Sequence, residues 1–154
     1  MFYLIVLSVI LADQLTKLMI LSTLTVGSYI SVIPGFNLIL TYNKGVSFSM
    51  FYDLGTAQPW ILTIASLLIC IGIFWYAKKE NNTMAKIGLA MVLGGAFGNI
   101  IDRIRFGGVI DFLDLYYKNW HWPAFNIADS AICIGAILFA VSELFLKTKE
   151  KTRV

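Results

Sequence analysis

Four stretches of the chain, residues 2–24, 59–77, 84–104 and 123–146, are almost uninterruptedly apolar. Each can cross a hydrocarbon layer of roughly 30 Å at about 1.5 Å per residue, so the pattern predicts four transmembrane helices. The second has no charged side chain between Pro59 and Ala77, whereas the first carries Asp13 and Lys17, the third Asp102 and Arg103, and the fourth Asp129. Between the first two spans the period changes. In SYISVIPGFNLILTYNKGVSFSMF, Pro34-Gly35 marks a turn and Phe36, Leu38 and Leu40 alternate. Asn43-Lys44-Gly45 marks a second turn, and Val46, Phe48 and Met50 alternate again. A period of two between turn signals predicts a small antiparallel meander whose apolar face rests on the membrane or on the helix ends. LYYKNWHWP, by contrast, reads as an aromatic belt at headgroup level. The expected fold is an all-α membrane protein, one domain over 1–154, with outward-facing segments 25–58 and 105–122 and a small outward-facing antiparallel β-sheet.

Composition agrees. Of 154 residues, 58% are hydrophobic and only 14% charged, where soluble domains carry about 25%; the mean hydropathy is +0.78. A net charge of +3, scattered along the chain, is too small for a nucleic-acid partner. Basic residues follow the second span (Lys78, Lys79, Lys86) and the fourth (Lys147, Lys149, Lys151, Arg153), which predicts cytoplasmic termini. The first span lacks the basic start and small-residue cleavage site of a signal peptide and reads as a retained helix. Cys70 and Cys133 lie in apolar runs and read as packing residues. The single histidine, His121, excludes the usual multi-histidine zinc sites, and neither metal nor cofactor is expected.

The interesting residues are the polar ones inside the spans. A charged carboxylate at mid-bilayer costs about 2.5 to 3.5 kcal/mol on insertion scales, so each asks for a reason. Asp13 and Lys17, four apart, can pair on one helix face. In GGAFGNIIDR, Gly94 and Gly98 permit close helix approach. Asn99 and Arg103 share a face there, with Asp102 to the side, towards solvent. Asp111 follows the third span in VIDF. Asn126 and Asp129 are three apart in FNIAD; a helix starting near Pro123 puts Asp129 about 8 Å below its outer end. The third and fourth spans are joined by an outer loop, so Asp111 and Asp129 arrive at similar depth. Two carboxyls in a low-dielectric site do not both ionise easily, so one serves as anion and the other as acid, the aspartic-protease arrangement. Helix-cap or interfacial roles explain the same spacing, and spacing alone leaves both readings open.

DQLTK, NKG, GGAFGNIIDR, GGVIDF and FNIADSAI occur in this order along nearly the whole chain, which thereby resembles the lipoprotein signal peptidase (signal peptidase II) family. The resemblance implies an aspartic endopeptidase of the bacterial cell membrane. Such an enzyme removes signal peptides from prolipoproteins, cutting just before the diacylglyceryl-modified cysteine. It implies catalytic roles for Asp111 and Asp129, supporting roles for Asp13, Asn43, Asn99, Arg103 and Asn126, and inhibition by the cyclic peptide globomycin. Its partners are then the lipidated precursor and membrane lipids. Asp114 and His121 receive no role. The rivals are a Ser–Lys protease using Lys17, a small polar-lined transporter or channel using Asp13, Lys17 and Asp129, and a structural assembly factor.

Overall fold

A computed structural model describes residues 1–45 and 57–146. It contains four helices long and apolar enough to cross a membrane, and a four-stranded antiparallel sheet. The helices are α1 (Phe2–Thr23), α2 (Gln58–Lys79), α3 (Thr83–Phe106) and α4 (Ile127–Val141), the last continued by a π-helical turn over Ser142–Leu146. The alternation expected at Val46, Phe48 and Met50, and the basic tail from Lys147, lie outside the described residues.

Helix α3 is the hub: α1, α2 and α4 all pack on it. Its glycines explain why. A Cβ at Gly94 would meet Val9 Cβ of α1 at 2.7 Å, and one at Gly95 would collide with the Ala128 carbonyl of α4. Without side chains at these points two backbones approach closely, as membrane helices require where burial offers no hydrophobic drive. Local chemistry sets the ends. Asn82 caps α3 by accepting from Met84 N and Ala85 N, and Gly107 closes it in the left-handed region at φ +69°.

The sheet has the order β1-β2-β3-β4, with β1 (Tyr29–Ile33), β2 (Phe36–Asn43), β3 (Val109–Tyr117) and β4 (Trp120–His121). Pro34-Gly35 forms the β1–β2 turn, with Gly35 at φ +90°. Along its other edge β2 pairs with β3, a strand that was not expected and of which only Leu115–Tyr117 falls in the expected aromatic belt. The β-branched and aromatic run VIDFLDLYY carries the signal for that strand. Nor does the alternation at Phe36, Leu38 and Leu40 run through. One extra residue of β2 lies between the pairs Leu38↔Leu113 and Thr41↔Asp111. This bulge exchanges the faces, so Leu40 is buried with Ile110, Phe112 and the α1 residues Ile20 and Leu24. The apolar face thus rests on the helix ends, as expected.

The fourth span differs most from expectation. Its helix starts at Ile127, not near Pro123, because Phe125 is held as extended chain: its N–H donates to Leu113 O (3.2 Å), and its O accepts from Leu113 N (2.8 Å). Asp129 therefore sits in the first helical turn rather than about 8 Å below the end.

Candidate active site

Asn126 stands where this strand-like segment becomes helix. Its Oδ1 accepts from Asp129 N at 2.8 Å, and its own N–H donates to Asp129 Oδ2 at 3.3 Å, a reciprocal capping box. The capping accounts for how a carboxylate is tolerated at this depth: it meets the unpaired N–H groups and the positive end of the helix dipole. The other end of the Asn126 side chain faces β3. Its Nδ2 group donates to Asp111 Oδ1 (2.7 Å), with Ile110 O (3.1 Å) and Asn99 Oδ1 (3.2 Å) also in range. One fully buried amide thus joins both carboxylates.

Asp111 is 1% exposed. It lies on the same sheet face as Asn43, its diagonal neighbour across β2, whose Nδ2 donates to Asp111 Oδ2 at 2.9 Å. Asn43 is itself fixed by the turn, its Oδ1 accepting from Gly45 N at 2.8 Å. Burial raises the Asp111 carboxyl to about 6, and the nearby Asp129 charge pushes the same way; the Asn43 and Asn126 hydrogen bonds and the Lys17 charge oppose them.

Beneath the carboxylates lies a buried ionic knot. Lys17 Nζ is 2.8 Å from Asp13 Oδ2, 2.6 Å from Asp102 Oδ2 and 3.2 Å from Asn99 Oδ1, so its three hydrogens have three acceptors. This orients Asn99 without ambiguity. An ammonium only donates, so the amide oxygen faces Lys17 and Nδ2 donates to Asp129 Oδ1 at 2.8 Å. Asp13 also accepts from Ala128 N on α4 (2.9 Å), and Gly98 leaves room for its carboxylate: a Cβ there would lie 2.6 Å from Asp13 Oδ2. Asp102, expected towards solvent, is instead fully buried, and its Oδ2 accepts from Ile110 N at the start of β3 (3.1 Å).

Arg103, one turn beyond Asn99, is half-buried and within electrostatic reach of Asp129, Asp102 and Asp111. Among the described residues it makes no hydrogen bond to any of them. No group of His, Cys, Asp or Glu with metal-holding geometry occurs among the described residues.

The profile of the signal peptidase (SPase) II family matches residues 5–145. The chain belongs to the signal peptidase II family. A lipoprotein signal peptidase of Polynucleobacter necessarius subsp. necessarius is 46% identical over 137 residues, 88% of this chain and 84% of that protein. One of Ralstonia nicotianae is 44% identical over 136 residues, 88% of this chain and 79% of that protein. A bacterial membrane enzyme solved by the in meso method at 1.9 Å resolution has a TM-score of 0.83 at 31% identity, over 94% of this chain and 92% of that one. Membership in the signal peptidase II family makes this a protease of lipoprotein processing, and its four spans make it a multi-pass membrane protein.

Five of the seven residues singled out in the sequence meet directly in this family member: Asp111 and Asp129 with Asn43, Asn99 and Asn126. Asp13 joins through Lys17, and Arg103 stands beside them. Sequence inspection left Asp114 and His121 without a place. Asp114, 5% exposed, accepts from Asn37 Nδ2 (2.9 Å) and faces His121 Nδ1 at 2.8 Å, while the His121 ring stacks on Tyr116. A cavity of about 580 Å³ is lined by Thr41, Asn43, Asp111, Asp114 and His121, so this pair sits at its wall. Alternation along β3 gave no signal for this, because it assigns Asp114 to the face opposite Asp111.

Proposed function

We propose that the protein is an aspartic endopeptidase that removes signal peptides from diacylglyceryl-modified prolipoproteins, cutting just before the lipidated cysteine. Family membership supports the substrate class, and one observation supports the chemistry: the Asn126 side chain binds Asp111 and caps Asp129 at once. The Asp129 charge near Asp111 favours a proton on one of the two carboxyls. One carboxylate, as anion, takes a proton from water as the water attacks the scissile carbonyl. The other donates a hydrogen bond to that carbonyl oxygen and then gives its proton to the leaving amine; the proton taken from water then passes between the carboxyls and restores the starting state. Asn43 and Asn99 hold the two carboxylates in register, and Arg103 supplies positive charge where the oxyanion develops.

The rivals fare worse. Lys17 has all three hydrogens committed, so it offers no lone pair to a serine. The polar groups gather at one end of the bundle, while Cys70, Leu93, Phe2, Val6 and Phe74 pack together towards the other, which disfavours a conducting path.

Lys78, Lys79, Lys86 and the N-terminus lie at the end opposite the carboxylates, which supports cytoplasmic termini, an active site near the outer face and residence in the bacterial cell membrane. At that depth the acyl chains of the precursor set the height of the scissile bond, each CH₂ contributing about 0.8 kcal/mol of anchoring. The experiment compares cleavage of a lipidated precursor with the same precursor before lipid transfer, with an arm containing globomycin and an arm containing EDTA. Cleavage of the lipidated form alone, blocked by globomycin and indifferent to EDTA, is the expected result. Equal rates on both precursors would leave a general intramembrane protease as the better description, and loss of activity in EDTA, restored by a divalent ion, would overturn the acid-pair chemistry.

A further inference from the structure

At the end of the bundle opposite the carboxylates, α1 and α2 both lie against α3, and among the described residues their backbones do not approach each other closely. The gap between them is a cavity of about 370 Å³ walled by carbon, from Phe2 and Val6 on α1, Leu67 and Phe74 on α2, and Leu93 and Phe97 on α3. Phe2, Tyr3 and Phe74 also border a smaller hollow of about 140 Å³ that contains Lys78 and Lys86. Two lysines therefore line the hollow that adjoins the apolar slot. Lys78 is drawn back over the slot, its Nζ 4.9 Å from the centre of the Phe74 ring and 5.1 Å from that of Trp75. The nearest acidic residue in sequence, Glu80, is buried and accepts from Asn81 N and Asn82 N through Oε1.

We infer that this slot is a binding site for one anionic glycerophospholipid, distinct from the substrate site. An apolar gap open to a bilayer takes up an acyl chain, because nothing else there matches its surface. That filling gives no selectivity by itself, since lipid tails are equally apolar everywhere in the leaflet. Selectivity comes from the mouth. Two lysines at headgroup level attract a phosphodiester with net negative charge and gain less from a zwitterionic head. The lipid fills the remaining space between α1 and α2, bordered by Phe2, Val6, Cys70 and Phe74.

The test purifies the whole protein in mild detergent and adds phosphatidylglycerol or phosphatidylcholine with identical chains. Native mass spectrometry reads retained lipid, and thermal unfolding reads its effect. One phosphatidylglycerol should be retained in roughly tenfold preference over phosphatidylcholine and should raise the unfolding temperature. The K78Q/K86Q double variant, altered only at the surface, should lose that preference while still cleaving precursor. A phosphatidylglycerol with a photoreactive group near the end of its acyl chain should label the peptide containing Cys70, which lines the slot. Equal retention of both lipids, a preference that survives in the double variant, or labelling spread evenly around the bundle would overturn the assignment. So would crosslinking of a precursor's signal helix, or of a second copy of the chain, to Cys70 in place of lipid. None of these readouts depends on Asp111 or Asp129, so the lipid site stands or falls apart from the acid-pair chemistry.

Discussion

The Asn126 amide donates to Asp111 across 2.7 Å, joining a strand residue to the cap of a transmembrane helix. Three segments meet in that bond: β3, the extended stretch ending at Phe125, and α4. The acid pair is therefore a property of the junction between sheet and bundle, and damage to the junction should reach the chemistry.

Asp111→Asn and Asp129→Asn should each reduce cleavage at least about a thousandfold, within the range assigned to general acid–base groups. Unfolding temperature in detergent should stay near that of the parent, since the exchange is nearly isosteric and removes a carboxylate that is costly to bury. Initial rates on lipidated precursor, measured beside thermal unfolding, check both halves. Substantial turnover by either variant would remove that residue from the chemistry.

Asn126→Ala should do two things at once. Loss of the cap should destabilise the start of α4 by about 1 kcal/mol. Loss of the bridge should lower the cleavage rate further than that instability explains, at temperatures where the variant remains folded. Asn126→Ser restores a capping oxygen without adding charge and lacks the amide donor to Asp111, so stability should return while activity does not. Recovery of both would assign Asn126 to helix capping alone.

Asp111, raised by burial to about 6, should impose a bend near that pH on the profile of kcat/KM. A rise through the bend makes Asp111 the initial base, and a fall makes it the initial acid. Asn43→Ala removes a hydrogen bond that favours the anion, so the bend should move to higher pH. The stability linkage has a definite sign. The folded state holds this proton more tightly than the ordinary carboxyl at 3.8, so the group's contribution is greatest below that value. It declines as pH rises to about 6 and is constant above. A profile flat from pH 4 to 8 would contradict the placement of Asp111.

Lys17→Met should be among the most destabilising single changes. It leaves Asp13 and Asp102, both fully buried, without their shared cation. Breaking a buried pair in this way costs about 3 to 5 kcal/mol. Thermal unfolding in detergent tests it, and a loss below about 1 kcal/mol would show that the two carboxylates find other compensation.

Four spans were legible in the chain because long apolar runs have one outcome in a bilayer: with no water to satisfy backbone groups, they become helices. The pairing of Asp13 with Lys17 was legible too, since a spacing of four along a helix is a contact rule that needs no knowledge of other elements. So were the Pro34-Gly35 and Asn43-Lys44-Gly45 turns, which are written in local backbone preferences. The tertiary structure alone decided what depends on neighbours distant in sequence. β3 formed, where no strand was expected, because β2 offered it a partner. Asp102 turned inward because Lys17 of another helix lay there. α4 began at Ile127 because Leu113 held Phe125 extended, and that same bond brought Asp129 up to the level of Asp111. Local pattern fixes the conformation of a segment, but a hydrogen bond between residues far apart in the chain has no period to reveal it, and the candidate site is built from such bonds.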